Sequence, residues 1–235
     1  MADLKKQLLD KYKYRFELHA HSNPASPCSD FSPEELVDKF IECGYDGIVL
    51  TNHFQHRLKK SYSSKEYADL YLKDYEAVKK RAGDKLTVCL GMEIRFWEND
   101  NDYLVYGINE DDVEKCAYYL DKGIRTFYNE FKNDKNLILQ AHPFRDGIIL
   151  APVDCIDGIE VFNLHAGHNS RIATAAQYAK QHNMILSGGI DFHHEYQSNQ
   201  SAVRFQTLPK NSYDIAEIIK NQDMIFTVSD SIILP

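Results

Sequence analysis

The chain has 235 residues, 43% of them hydrophobic and 26% charged, with 15 tyrosines and 12 phenylalanines; this is material for one large folded domain and excludes a disordered chain. Its formal charge of −8 comes without any long run of Lys and Arg, so it lacks the basic footprint that grips a long nucleic-acid backbone. The segment "MADLKKQLLDKYKYRF" has no apolar leader core and nowhere do about 18 apolar residues run together, which predicts a cytoplasmic protein with no membrane partner.

In chain order, Phe16 to Ala20 reads as a first strand. "SPEELVDKFIECG" is a marked helix, with Ser32 as N-cap, Pro33 at its first position, Glu35 closing a capping box and Gly44 as the stop. "YDGIVLTNH" is a second strand, a helix follows from about Ser64 to Ala82, and "LTVCLGMEIRF" is a third strand. "NDYLVYGI" reads as an antiparallel excursion beside it, and "VEKCAYYLDKG" returns to helix. "NLILQAHP" and "IDGIEVFN" are strands, "NSRIATAAQYAKQHN" a helix, and "MILSGGID", "AVRFQTL" and "MIFTVS" further strands. Strand and helix alternating in this way imply parallel strands joined by crossovers, in one domain over residues 1–235.

Polar residues gather where these strands end. His19 and His21 share one face of the first strand, an arrangement that suits two imidazoles on one metal. His53 follows the second strand, Glu93 lies near the end of the third, His142 follows the fourth, Glu160 and Asn163 belong to the fifth, and Asp191 and His193 follow the sixth. A closed (β/α) barrel brings such strand ends to one rim, whereas an open sheet spreads them across its width. Buried polar groups without partners are costly, and metal coordination removes that cost. His56 and His182 sit in polar contexts and read as surface groups, and His194 should face away from His193. The loop "NLHAGHNSR" brings His165 or His168 within range of the same rim. The five scattered cysteines (Cys28, Cys43, Cys89, Cys116, Cys155) form no C-x-x-C pair and read as reduced thiols, mostly core filler.

The segments "ELHAHS", "SDFSPEELV", "GYDGIVLTNH", "GMEI", "AHPFR", "IEVFN" and "GGIDFHH", spanning about Phe16 to His194, resemble in order and spacing the PHP domain (polymerase and histidinol phosphatase) superfamily. The resemblance implies an α/β fold, a distorted seven-stranded TIM-like (β/α) barrel that binds two or three divalent ions, variously zinc, manganese or iron, and hydrolyses phosphoesters. Carried over by position, it puts His19, His21, Glu93 and Asp191 around a first metal, makes Glu93 a bridge to a second metal that also takes His142, and gives a third to Asp30, His53 and His193. Here the family's "SDG" reads "SDF", its "TDH" reads "TNH", and no histidine lies between His56 and His142, so Asp102 is the choice for the vacant ligand position.

The activity these residues suggest is metal-dependent hydrolysis of a small phosphomonoester by a metal-activated hydroxide at a bi- or trinuclear site, histidinol-phosphatase-like in type. Arg145, Asp191 and His193 are the catalytic candidates; Arg145, with its planar guanidinium, Arg95 and His168 are the substrate-binding ones. The chain has no P-loop and no G-x-S-x-G elbow. A nuclease or nucleotide phosphatase on the same site, an amidohydrolase-type metal enzyme, and a catalytically weak metal-binding regulatory domain are the alternatives. Oligomeric state leaves no mark in the sequence.

Overall fold

The computed structural model describes residues 2–198 and 201–235. Its strands are β1 (Tyr14–Ala20), β2 (Gly47–Leu50), β3 (His53–Gln55), β4 (Thr87–Leu90), β5 (Met92–Arg95), β6 (Tyr103–Tyr106), β7 (Leu137–Gln140), β8 (Gly158–Asn163), β9 (Ile185–Gly189), β10 (Ser201–Phe205), β11 (Met224–Val228) and β12 (Ser231–Ile233). The helices are α1 (Ala2–Lys11), α2 (Pro33–Glu42), α3 (His56–Lys59), α4 (Ser64–Ala82), α5 (Glu110–Tyr119), α6 (Ile124–Phe131), α7 (Ile172–Gln181) and α8 (Ser212–Lys220). This is a mixed α/β fold with parallel strands.

Local chemistry sets the helix boundaries. Ser32 Oγ accepts from the Glu35 N–H at 3.3 Å while Glu35 Oε2 accepts from the Ser32 N–H at 2.9 Å, and Gly44 at φ +70° turns the chain out of α2. Ser63 and Glu66 repeat that box at the start of α4, whose Tyr67, Tyr71, Tyr75 and Val78 form one buried stripe at helical spacing.

Two six-stranded sheets result, ordered β12-β11-β10-β1-β2-β4 and β3-β5-β6-β7-β8-β9. β1, β2 and β4 pair in parallel, as do β3 with β5 and β7 with β8 and β9; β6 is antiparallel to both β5 and β7, as expected of an excursion. The second and third strands of the sequence reading are each broken in two. The break in the third is at Gly91, where a Cβ would meet Val49 Cγ1 at 2.6 Å, and the bent strands carry one sheet into the other through Gly91 N–H to Leu50 O at 2.9 Å. At the other end, the parallel bridge between Ala20 and Phe192 is flanked by His21 N–H to Phe192 O at 3.1 Å and Phe192 N–H to His19 O at 2.9 Å. This second join sets β1 and the segment after β9 side by side. Helices α1, α3, α6 and α8 and strand β12 have no counterpart in the sequence reading.

Candidate metal centre

The groups gathered here lie at or close to strand ends. His19 lies within β1 and His21 just beyond it; His53 opens β3, Glu93 lies within β5, His142 follows β7 and Asp191 follows β9. Asp102 precedes β6, and because β6 runs antiparallel its beginning lies beside the ends of its neighbours. Gly189 keeps this packing close, since a Cβ there would meet Glu17 Oε1 at 2.6 Å and His19 Cβ at 2.7 Å. His142 (φ 30°) and Asp191 (φ 60°) adopt left-handed backbone without being glycine. Such residues carry strain of about 1–3 kcal/mol each and concentrate at functional sites.

Glu93 is the hub. Its Oε1 lies 3.3 Å from His19 Nε2 and 3.0 Å from His142 Nε2, and its Oε2 lies 2.6 Å from His53 Nδ1 and 3.5 Å from His21 Nε2. Asp191 Oδ1 is 3.4 Å from His19 Nε2 and 3.3 Å from both His21 Nε2 and His193 Nδ1. Ligating atoms within 4.8 Å of one another form three groups: His19, His21 and Asp191; His21, His53 and His193; and His53, Glu93 and Asp102.

The far side of three of the rings is held. His19 Nδ1 meets Glu160 Oε1 at 2.9 Å, and the other oxygen of Glu160 accepts from His142 N–H at 3.0 Å and Asn163 Nδ2 at 2.9 Å. His21 Nδ1 meets Ser26 Oγ at 3.0 Å, and His193 Nδ1 meets the Asp191 carbonyl at 2.9 Å. These partners set the rings with Nε2 turned inward, the arrangement that outer hydrogen bonds give to metal-binding histidines. Asn52, where the resemblance would have an Asp, is buried and accepts from Ser22 N–H at 2.6 Å and Ser26 Oγ at 3.0 Å, so it braces the loop behind His21.

Four of the inward atoms, His19 Nε2, His21 Nε2, His53 Nδ1 and Glu93 Oε2, are buried without a hydrogen-bond partner. Each orphan of this kind costs about 1–3 kcal/mol, and four together approach the whole stability of a domain, about 5–15 kcal/mol. Packing does not explain the cluster, whereas a bound cation would satisfy every one of these atoms. Electrostatics agree. Burial opposes the charge on Glu93 and Asp191, yet neighbouring histidines hold both well below the usual carboxylate range. Burial likewise opposes protonation of His19, but Asp191, Glu160 and Glu93 raise its pKa well above the ordinary value. His21 goes the other way, pushed down by burial and by His193 and His53.

The centre opens into a cavity of about 420 Å³. Arg145, Arg95 and His168 all line it. Arg145 pairs with Asp191 and donates to Asn163 Oδ1 at 2.6 Å, and Arg95 holds Asp102 with two bonds, Nε to Oδ1 at 2.7 Å and Nη2 to Oδ2.

The family model of the PHP domain matches residues 17–228. The chain belongs to the PHP domain family. Among solved structures, this PHP chain is similar in fold to a two-domain protein containing a predicted PHP-like metal-dependent phosphoesterase from Bacteroides vulgatus ATCC 8482, with a TM-score of 0.56 and 18% identity over 92% of this chain. The match spans 64% of that larger protein. It is also similar to PsfC from Pseudomonas syringae PB-5123, with a TM-score of 0.60 and 14% identity, covering 86% of this chain and 87% of that one. No curated protein matches it in sequence.

Against the residues the resemblance nominates, the PHP chain brings His19, His21, His53, Glu93, Asp102, His142, Asp191 and His193 together. It does not bring Asp30. That carboxylate is turned to the surface, where Oδ2 meets His194 Nδ1 at 2.8 Å with the Asp30 side chain 66% exposed. Cys28 is not one of the core thiols: it is exposed and lines the cavity together with His53 and His193. Cys89, Cys116 and Cys155 are buried as expected. His165 and His168 both reach the cavity wall, and His194, expected to face away, lines it too. His56 is tied to Asp121 at 2.8 Å, outside the centre. Glu160 was counted among the polar residues of the strand ends but given no task.

Proposed function

We propose that this chain is a hydrolase of small phosphomonoesters that works with two or three divalent ions, zinc, manganese or iron, held at the centre around Glu93. The observation that carries this reading is the group of four buried, unpartnered ligating atoms facing one another beside an open cavity. His19, His21 and Asp191 would hold one ion; Glu93, His142 and Asp102 a second; and His21, His53 and His193 surround the place of a third. Ions bound there supply Lewis acidity toward a phosphoryl oxygen and lower the pKa of water at neutral pH.

The protein's own groups do the rest. Arg145 grips the phosphate with its free guanidinium N–H groups while its bond to Asp191 fixes that carboxylate's direction. Arg95, also on the cavity lining, does the same for Asp102. Burial lowers the pKa of His168, so it meets substrate as a neutral imidazole rather than a cation. The cavity is of a size that suits a small ligand, and the net charge of −8 disfavours a long polyanion. The two joins between the sheets support a further reading, that β1, the bent strands β2–β3 and β4–β5, and β6 to β9 close as a distorted seven-stranded barrel forming one domain.

A panel of small phosphomonoesters, with p-nitrophenyl phosphate as the general probe, tests the activity. Hydrolysis that a chelator abolishes and zinc, manganese or iron restores is the expected result. Metal uptake with no turnover of any compound would instead favour a regulatory metal-binding domain.

A further inference from the structure

The loop between β1 and α2 presents Cys28, not Asp30, to the centre. Asp30 N–H donates to the His193 carbonyl at 2.9 Å and Ser29 Oγ donates to the His21 carbonyl at 2.9 Å. These bonds fasten the loop to the two histidine segments, with the Asp30 carboxylate directed outward to His194. Two residues earlier, Cys28 lines the cavity together with His53 and His193.

Beneath it lie the rings of His21, His53 and His193, whose ligating atoms fall within 4.8 Å of one another. The ring centroids of His21 and His193 are 4.1 Å apart and those of His21 and His53 4.5 Å. His21 Nε2 is fully buried and has no hydrogen-bond partner. His53, His193 and the Cys28 thiol supply nitrogen and sulfur donors, the types that zinc takes, with His21 shared in position with the neighbouring ion.

Building on the metal-centre reading above, we propose that Cys28 is a ligand to the ion surrounded by His21, His53 and His193, taking through its sulfur the place that the resemblance gives to Asp30. When the ion binds, the S–H bond breaks, its proton passes to solvent and a sulfur–metal bond forms, with no change of oxidation state. A soft thiolate shifts the site's preference toward zinc, cobalt or iron and away from magnesium and manganese.

Titration of the metal-free protein with cobalt(II) tests this. The expected result is visible absorption from the coordinated ion together with near-ultraviolet thiolate-to-cobalt charge transfer, the latter lost in Cys28→Ser and kept in Cys43→Ser. In parallel, cobalt should shield Cys28 of the unmutated protein from alkylation, as read by peptide mass spectrometry. That second readout stands even if Cys28→Ser fails to fold. Visible bands without charge transfer, or equal alkylation of Cys28 with and without cobalt, overturn the ligand assignment and leave the metal centre intact. Failure of the unmutated protein to take up cobalt overturns both.

Discussion

Glu160 Oε1 lies 2.9 Å from His19 Nδ1, with both side chains closed off from solvent. The carboxylate keeps the hydrogen on Nδ1 and leaves the Nε2 lone pair facing Glu93 and Asp191. Glu160→Gln preserves shape and can still accept from His142 N–H, but it offers its amide N–H to His19 Nδ1 and drives the hydrogen to Nε2. Metal affinity, measured by competition with a coloured chelator, should fall about 10- to 100-fold with the circular dichroism spectrum unchanged. Equal affinities would remove Glu160 from the orienting role.

Arg145 is held by Asp191 and Asn163 at the cavity wall. Arg145→Ala should lower kcat/KM for a phosphomonoester by about 10- to 100-fold, the worth of a hydrogen bond between charged groups. Arg145→Lys should recover little of it, because an ammonium cannot serve two oxygens in one plane. The metal content of both variants should match that of the unmutated protein, and unchanged kinetics would take Arg145 out of substrate binding.

Asp74 on α4 accepts from Ser22 Oγ at 3.2 Å and from Ala25 N–H at 3.0 Å, tying the helix to the loop after His21. Burial raises its pKa above the usual carboxylate value in spite of those two donors. A raised acid favours the folded state while protonated, and that contribution is lost as pH rises through the folded-state value. Urea unfolding midpoints of the unmutated protein and Asp74→Asn, compared from about pH 4 upward, should therefore shift relative to each other in favour of the variant as pH rises. A constant difference across that range contradicts the assignment.

Much of this was legible in the chain. Ser32, Glu35 and Gly44 mark α2 because capping is local chemistry, and the strand-end histidines could be placed because strand ends follow from hydrophobic runs. Asp102, the choice for the place of an absent histidine, lies beside His53 and Glu93. The bends near Gly91 were not legible, because they arise from close approach to Val49 on a neighbouring strand. Nor was the exchange of Asp30 for Cys28. The two residues stand two apart in a loop without periodicity, and what decides which of them faces inward is a pair of hydrogen bonds to segments on both sides of the centre. The helix α1 carries too many charges among its apolar residues to stand out from a polar leader.

Removing metal should destabilise the fold, since the buried orphan atoms at the centre then have nothing to coordinate. With an ion at about a thousandfold excess over its Kd the gain is about 4 kcal/mol, corresponding to about 10 °C in Tm for a chain of this size. Identical melting in chelator and in added zinc would mean that the cluster binds no ion.

The most direct measurement is the metal content of the purified protein by mass spectrometry, set beside the same measurement on Glu93→Ala, which removes the carboxylate touching four histidines. Two or three ions per chain, with at least one lost in the variant and phosphomonoester hydrolysis lost with it, is the predicted result. A protein that hydrolyses phosphomonoesters with no bound metal, or one that takes up no ion under any condition, would contradict a metal-dependent phosphoesterase centred on Glu93.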